Sequence, residues 1–196
     1  MKSKHSKYNS RNPISNFLVH HFLNNIVDIL KTMEFSNLLE VGCGEGMILK
    51  KLKSLIHNKN AYAIDIDMDE IKDAKKNAPY CKISQANASN LPFRDNCFDL
   101  ILCCEVLEHL DSPELALNEI KRVAKKSIII SVPNEPLWSI LNMLRGAYWQ
   151  DFGNTPGHLN KWRPEQIVNI INRYTNVEIV KKPIPWTLLQ CNIKNS

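Results

Sequence analysis

A glycine-rich turn between an apolar run and a helical segment constrains this chain most. The stretch LLEVGCGEGMILKKL, from Leu38 to Leu52, carries glycine at positions 42, 44 and 46. Glycine adopts backbone angles that other residues avoid, and it lets a ligand approach the main chain closely. The helix that follows offers free backbone N–H groups at its start, which favour a carboxylate or a phosphate. The stretch therefore predicts a strand, a ligand-binding turn and a helix.

Strands and helices alternate through the middle of the chain, which is typical of a parallel sheet covered on both faces. Short apolar runs predict strands in NLLEVG, NAYAIDID, YCKISQANA, CFDLILCCEVL and KSIIISVPN, and VEIVKKPIPWTLLQCNI predicts two more. No helix separates the last two, so one of them should run antiparallel. We expect an α/β fold with a Rossmann-like, doubly wound, mostly parallel seven-stranded sheet and one antiparallel strand near the C-terminus. Ligands of such sheets bind beyond the carboxyl ends of the strands, where the strand order reverses.

The length of 196 residues suits one domain with a sizeable core. We expect a single domain over residues 1–196 with four parts. A basic segment and an amphipathic helix occupy 1–36, and the cofactor-binding core occupies 37–134. A substrate or lid segment follows over 135–163, and the last helix and strands occupy 164–196.

The residues around the glycine turn exclude a triphosphate loop and disfavour a dinucleotide site. A Walker loop ends in Gly-Lys followed by Ser or Thr, and that ending is absent from this turn. A dinucleotide fingerprint needs a small residue where this chain has Met47, which counts against a nicotinamide oxidoreductase. Asp65 ends the second predicted strand, where an acid suits both hydroxyls of a ribose and disfavours a 2′-phosphate. A ribose with a small carboxylate-bearing tail matches S-adenosylmethionine better than a dinucleotide.

Four motifs follow one another in consistent order between Leu38 and Trp138: EVGCGEG, AIDIDMDEI, ANASNLPFRDNCFDLILCCEVLEHL, and NEIKRV followed by IIISVPNEPLW. Together they resemble the class I S-adenosylmethionine-dependent methyltransferases, in the small-molecule group that includes ubiquinone and menaquinone methyltransferases. The resemblance implies S-adenosyl-L-methionine as the cofactor. The cofactor-binding residues that it implies are Glu40, Gly42, Gly44, Gly46, Asp65, Ile66, Asn87, Ala88 and Glu105.

The same resemblance assigns a role to each of these residues. Glu40 and the three glycines would form the loop around the methionine tail, while Asp65 would hold the ribose with the next residue against the adenine. Asn87 and Ala88 would meet the adenine edge, and Glu105 would lie beside the methionine moiety. Position 87 usually carries Asp in the family; an Asn carbonyl still accepts a hydrogen bond, but without charge. The usual Pro-Gly-Gly turn before the fifth strand is replaced by AKKS, in a loop away from the cofactor.

Two histidines are candidate catalytic residues, because a hydroxyl acceptor would need a base and His is suited to that role near neutral pH. His109 follows the fourth strand, and His158 lies in the Gly- and Pro-rich connection GNTPGHLNKW. A structural role is the alternative for His109, and a solvated place on a surface loop is the alternative for His158. Aromatic residues near the predicted site are candidate substrate contacts: Tyr8, Tyr148, Trp149 and Trp162.

Composition narrows the remaining possibilities. The six cysteines form no C-x-x-C pair and no Cys/His spacing that suits zinc, so we predict reduced, buried cysteines and no metal site. The chain has no apolar run long enough for a transmembrane helix, and its start lacks the apolar centre of a signal peptide, so a cytoplasmic location is expected. The net charge is +5, with basic residues crowded before an amphipathic first helix, and peripheral membrane contact is therefore possible.

The sequence thus predicts a methyltransferase that acts on a small molecule, with O-methylation of a sugar-, quinone- or lipid-linked acceptor as the specific expectation. A nucleic-acid substrate is disfavoured, because CCEVLEHL stands where base-modifying methyltransferases carry an Asn-Pro-Pro-Tyr type of motif. The alternative is a non-catalytic nucleotide- or partner-binding module with the same fold. The oligomeric state stays open.

Overall fold

The computed structural model describes residues 13–144, 146 and 148–193. The basic N-terminal segment and the candidate substrate residue Tyr8 lie outside the described residues. Among the helices of the described part, none is long and apolar enough to cross a membrane.

One seven-stranded sheet organises the molecule, in the order β3-β2-β1-β4-β5-β7-β6. Its strands are β1 Asn37–Val41, β2 Asn60–Asp65, β3 Lys82–Gln85, β4 Phe98–Cys104, β5 Ala124–Pro133, β6 Asn176–Lys181 and β7 Trp186–Asn192. The pairs from β3 to β5 are parallel, and β7 is antiparallel to both β5 and β6. The predicted doubly wound sheet with one antiparallel strand is confirmed. The strand order reverses between β1 and β4, which places the ligand crevice beyond their carboxyl ends.

Helices and short turns connect the strands. The helices are α1 Pro13–Lys31, α2 Met47–Lys51, α3 Lys53–Ile56, α4 Met68–Asn77, α5 Pro113–Val123, α6 Leu137–Leu144 and α7 Pro164–Ile171. Two 3₁₀ turns, Leu107–His109 and Trp149–Asp151, add short helical pieces. The first 3₁₀ turn follows β4 directly and so stands at the predicted ligand edge.

The core consists of two apolar clusters, one on each face of the sheet. Neighbouring residues of β4 point into different clusters, because side chains alternate along a strand: Cys104 belongs to the first cluster and Cys103 to the second. Every residue of β4 is buried, as expected for a central strand covered on both faces. None of the six cysteines is in a disulfide; four are buried, and Cys81 and Cys97 are half-buried.

Three local features differ from what their sequence patterns predict. The apolar spacing of MILKKLKSLI predicts one helix, but that helix is broken at Leu52, which ends α2 and begins α3, with the Leu55 N–H donating to the Leu52 carbonyl across a tighter turn. The segment after β5 carries Gly and Pro and is predicted to be irregular, but it contains helix α6. Ser112 before Pro113 predicts a capped helix start; it stands at the start of α5, but its side chain makes no capping hydrogen bond.

Candidate functional site

The glycine turn after β1 is held against the end of β2 by backbone hydrogen bonds. The N–H groups of Gly42 and Cys43 donate to the Ile64 carbonyl over 2.8 and 2.9 Å. Gly42, Gly44 and Gly46 have φ angles of 72°, 50° and 78°, in the left-handed region that favours glycine. The backbone conformation of the turn therefore explains why glycine occupies these three positions.

Packing distinguishes the three glycines. A Cβ at Gly42 would overlap the side chain of Val106, and one at Gly46 would lie 3.0 Å from the Ala74 backbone. A Cβ at Gly44 would meet only a Glu70 carboxylate oxygen, at 3.8 Å. Gly44 thus faces open space at the ligand edge of the sheet, so a side chain there would project into the crevice.

Asp65 joins the ends of β1 and β2. One of its carboxylate oxygens accepts the Gly44 N–H at 2.7 Å, and the other accepts the Asp67 N–H at 2.9 Å. These bonds orient the carboxylate beside the glycine turn. A carboxylate has about four acceptor positions, so this one retains capacity for ligand hydroxyls.

Glu40 places a carboxylate inside the protein beneath the glycine turn. Its side chain is 1% exposed, and Oε2 makes no hydrogen bond within the described residues. Burial, together with the charge of Asp65, raises the pKa of Glu40 well above its ordinary value. A buried acid with an open acceptor position suits a ligand that carries a positive group, such as the ammonium of an amino-acid tail.

The residues implied for the adenine lie beyond β2 and β3. The Ile66 side chain is 66% exposed, which leaves an apolar surface beside Asp65. The Asn87 side-chain carbonyl accepts the Ser89 N–H at 2.9 Å, so its orientation is fixed by the local turn. Ala88 is half-buried and packs against the second core cluster.

Arg122 of α5 holds the loop between β3 and β4 that contains Asn87. Its guanidinium donates to the carbonyls of Leu91 and Phe93, over 3.0 and 2.8 Å, and to the carboxylates of Asp95 and Glu119. Hydrogen bonds from this arginine raise its own pKa and lower the pKa of the Glu119 carboxyl. These hydrogen bonds fix the loop to α5. The sequence analysis did not predict this role of Arg122.

Glu105 follows β4 with a φ of 58°, which is strained for a residue other than glycine. Its carboxylate accepts the Ser131 hydroxyl at 2.9 Å and the Trp186 indole N–H at 2.8 Å. Both of these partners are neutral donors, one from β5 and one from β7. These donors hold the carboxylate in place at the ligand edge of β4.

The two candidate catalytic histidines lie together. The rings of His109 and His158 are 4.9 Å apart and nearly perpendicular, and Glu108 completes a group whose ligand-type atoms lie within 4.8 Å of one another. His158 is buried, so it does not occupy the solvated position that was its alternative. Glu108 was missed by the sequence analysis, although its place directly before His109 was a usable signal.

The candidate substrate residues occupy different environments. Trp149 is largely exposed, and Tyr148 has a left-handed φ of 57° and is also exposed. Trp162 is half-buried and packs against the second core cluster. The indole of Trp138, which was not predicted, stacks on His158 at 5.9 Å and lies 5.8 Å from Trp186. Trp138 and Trp186 therefore connect the histidine pair to the surroundings of Glu105.

A doubly wound sheet with a glycine turn at its reversal point and an acid at the next strand end defines a Rossmann-like nucleoside-binding protein.

A methyltransferase-domain family matches residues 39–131. An uncharacterised protein of Methanocaldococcus jannaschii is 39% identical over 103 residues, which cover 50% of this chain and 42% of that protein. The ubiquinone biosynthesis O-methyltransferase of Rickettsia bellii is 30% identical over 174 residues, which cover 80% of this chain and 69% of the relative. In several further relatives the chain spans only about two fifths of the length.

A solved structure has the same fold. The magnesium protoporphyrin IX methyltransferase of Synechocystis, crystallised with S-adenosylhomocysteine, aligns with a TM-score of 0.70 at 14% identity, over 95% of this chain and 90% of that one. This structure shows the fold alone, whereas the Rickettsia bellii relative, 30% identical and matched over 69% of its length, shows that the chain belongs to the class I S-adenosylmethionine-dependent methyltransferases. The cofactor of this family is S-adenosyl-L-methionine.

Proposed function

We propose that the protein transfers the methyl group of S-adenosyl-L-methionine to a hydroxyl oxygen of a small molecule, with a quinone-type or other aromatic acceptor as the first choice. The relative from Rickettsia bellii, which is named for ubiquinone biosynthesis and O-methylation, supports this acceptor class. A demethylmenaquinone methyltransferase of Streptomyces avermitilis, 29% identical over 83 residues, supports a quinone without indicating the attacked atom.

The buried Glu40 carboxylate beneath an open glycine turn is the observation that carries the cofactor assignment. Bound S-adenosylmethionine supplies an electrophilic methyl group on a positively charged sulfur. In our proposal Glu40 and the turn at Gly42–Gly46 hold the amino-acid tail, and Asp65 accepts hydrogen bonds from the ribose. Ile66, Asn87 and Ala88 border the adenine, and Glu105 lies beside the methionine moiety.

The acceptor side rests on the histidine pair and on the apolar residues around it. The His109 Nδ1 lies 2.8 Å from the Gly157 carbonyl, and a carbonyl can only accept, so Nδ1 carries the proton and Nε2 is left as an acceptor. Such an imidazole can take a hydroxyl proton from a positioned acceptor. Exposed apolar side chains of the 135–163 segment, among them Trp149, Phe152 and Leu159, suit an apolar acceptor better than a sugar.

A two-stage assay tests the proposal. The purified chain is first titrated with S-adenosylhomocysteine by calorimetry, and it is then incubated with methyl-labelled S-adenosylmethionine and a panel of catechols, hydroxyquinones, sugars and lipids. We expect saturable binding and labelled ethers from the aromatic hydroxyl compounds. Labelled sugar or lipid products would show that the acceptor is a sugar or a lipid instead of an aromatic hydroxyl compound. Binding without any labelled product would favour the non-catalytic module, and absence of saturable binding would remove the cofactor assignment.

A further inference from the structure

We propose that Glu108, His109 and His158 bind a divalent transition-metal cation. The three side chains each offer one ligand-type atom, and these atoms lie within 4.8 Å of one another. Atoms that surround one ion at about 2.0–2.2 Å each lie roughly 3.3–3.6 Å apart in a tetrahedral set and at most about 4.4 Å apart, so these three must draw slightly closer together to share an ion. The trio therefore has the spacing of a ligand set in which small side-chain movements suffice to close around an ion.

The backbone on both sides of the trio is fixed. Glu108 lies in the 3₁₀ turn after β4, and its carbonyl accepts the N–H groups of Leu159 and Asn160 at 2.8 and 3.1 Å. The Asn160 side chain also donates to the Leu110 carbonyl at 2.7 Å. These bonds clamp the loop that carries His158 onto the turn that carries the other two side chains. A preorganised site of this kind avoids the cost of ordering its ligands when an ion binds.

The histidines are also oriented as metal ligands usually are. The hydrogen bond from His109 Nδ1 to the Gly157 carbonyl fixes the ring and leaves Nε2 with its lone pair, which is the common outer-sphere arrangement at metal sites. The Trp138 indole lies over the His158 ring with an interplanar angle of 28°. Both imidazoles are therefore held by neighbours that belong to the protein.

The ligand chemistry indicates which ions fit. Two imidazoles and one carboxylate suit Zn²⁺, Mn²⁺, Fe²⁺ or Co²⁺, whereas Ca²⁺ and Mg²⁺ prefer sites made wholly of oxygen. Glu108 is 1% exposed and His158 is 7% exposed, so an ion bound there would be largely shielded from bulk water. One carboxylate leaves a divalent ion with net positive charge, and three protein ligands leave positions for oxygen atoms of another molecule.

The role of this ion in catalysis rests on the proposed function, although its binding does not. A divalent cation lowers the pKa of a hydroxyl that it coordinates. The acceptor hydroxyl would then release its proton to water while its oxygen stays on the cation, and the histidines would act as ligands instead of as bases. This arrangement departs from the expectation of no metal site, which rested on ligands close together in the sequence.

Cobalt titration tests the site directly. The full chain is treated with chelator, exchanged into metal-free buffer and titrated with Co²⁺, with visible absorption and calorimetry as readouts. We expect one ion per chain and d–d absorption bands typical of nitrogen and oxygen ligands. His158→Ala and Glu108→Gln should each weaken Co²⁺ binding at least about tenfold. His57→Ala removes an exposed histidine elsewhere and should titrate like the original chain.

Binding of S-adenosylhomocysteine, measured on each variant, separates loss of the metal site from loss of the fold. Should one variant fail to bind that cofactor product, His109→Ala provides an independent removal of a ligand. The proposal is overturned if no saturable Co²⁺, Mn²⁺ or Zn²⁺ binding occurs. It is equally overturned if His158→Ala and Glu108→Gln bind Co²⁺ as the original chain does, or if sulfur-to-metal charge-transfer bands identify cysteine ligands. If the metal proposal is overturned while S-adenosylhomocysteine still binds, the proposed methyltransferase function is unaffected.

Discussion

Within one short turn, three glycines meet three different physical demands. Gly42 and Gly46 leave room for Val106 and Ala74, whereas a side chain at Gly44 would meet only the end of Glu70, at 3.8 Å. All three share the left-handed backbone that penalises other residues. Replacing Gly42 or Gly46 should therefore destabilise the fold through steric overlap. Replacing Gly44 should mainly weaken ligand binding in the crevice.

Gly44→Ala should weaken binding of S-adenosylhomocysteine at least about tenfold, because its methyl group projects into the ligand crevice. The left-handed backbone should also lower the free energy of unfolding by roughly 1–2 kcal/mol. Gly146→Ala is the matched control, because Gly146 has a φ of 78° with nothing within 4 Å of the added carbon. Calorimetry and urea denaturation would measure both quantities. Equal cofactor binding in the two variants would contradict the proposed position of the ligand.

Glu40 should make the ligand-free protein less stable as the pH rises. Its folded-state pKa is raised, so its contribution to stability is complete below the ordinary value of 4.5 and is lost as the pH rises through the folded-state pKa. Glu40→Gln should therefore unfold at a higher urea concentration than the original chain at pH 8, with the difference narrowing as the pH falls toward 4.5.

The same substitution should weaken S-adenosylhomocysteine binding about tenfold or more at pH 7, since it removes a carboxyl group that the ligand ammonium would hold in its charged form. Glu178→Gln, on the exposed surface of β6, serves as the control for both measurements. A stability gap that widens on acidification, or unchanged binding by Glu40→Gln, would contradict the role assigned to this carboxylate.

At the scale of elements, two side chains of α5 hold the loop between β3 and β4: Glu119 accepts the Leu91 N–H, and Arg122 makes the larger set of contacts. Arg122→Lys keeps the charge but loses the planar fork that reaches two backbone carbonyls and two carboxylates. We expect the free energy of unfolding to fall by about 2 kcal/mol. Arg173→Lys, in an exposed position after α7, should change stability little.

The pH dependence of that loss provides a further check. The lowered pKa of Glu119 makes its contribution complete above the ordinary value of 4.5, and the contribution is lost as the pH falls through the folded-state pKa. The difference between Arg122→Lys and the original chain should therefore shrink in urea titrations carried out at progressively lower pH below 4.5. A gap that stays constant would show that the carboxylate pairing is not the source of the stability.

The connection after β5 is a second element held by polar side chains, among which Asn142 is buried. Asn142 of α6 is buried and donates to the Gly153 carbonyl at 2.7 Å and to the Thr155 hydroxyl at 3.2 Å. Asn142→Leu should leave the buried Gly153 carbonyl without this donor, and should speed amide hydrogen exchange over residues 151–160 by roughly tenfold. Asn118→Leu, on the exposed face of α5, is the control; uniform acceleration across the sheet would contradict a local role.

At the scale of the whole molecule, the sequence predicted most of the fold because each strand and helix carries its own pattern. The lack of a helix between β6 and β7 indicated an antiparallel strand, and β7 is antiparallel to both neighbours. The break at Leu52 was missed because apolar residues continue the helical spacing through it. Helix α6 was missed because Gly and Pro further along the same connection favoured an irregular reading.

Some parts of the candidate site could likewise be predicted from the sequence, and others could not. Gly42, Gly44 and Asp65 lie in contiguous motifs, and the topology brings them together, so the sequence was sufficient to predict that they are neighbours. The group formed by Glu108, His109 and His158 could not be predicted, because His158 reaches the other two through a loop whose path is set by hydrogen bonds such as that from Leu159 to Glu108. Trp186 reaches Glu105 from the last strand, for which no local pattern gives a signal.

The central claim is that S-adenosylmethionine binds across the carboxyl ends of β1 and β2, with Asp65 at the ribose. Titration of the ¹⁵N-labelled chain with S-adenosylhomocysteine, followed by amide chemical shifts, tests both the binding and its location. The account predicts saturable shifts that are largest at Gly42, Gly44, Ile66 and Asn87, and their loss in Asp65→Ala with the remaining spectrum preserved. Saturable shifts centred elsewhere, or unchanged binding by Asp65→Ala, would contradict it.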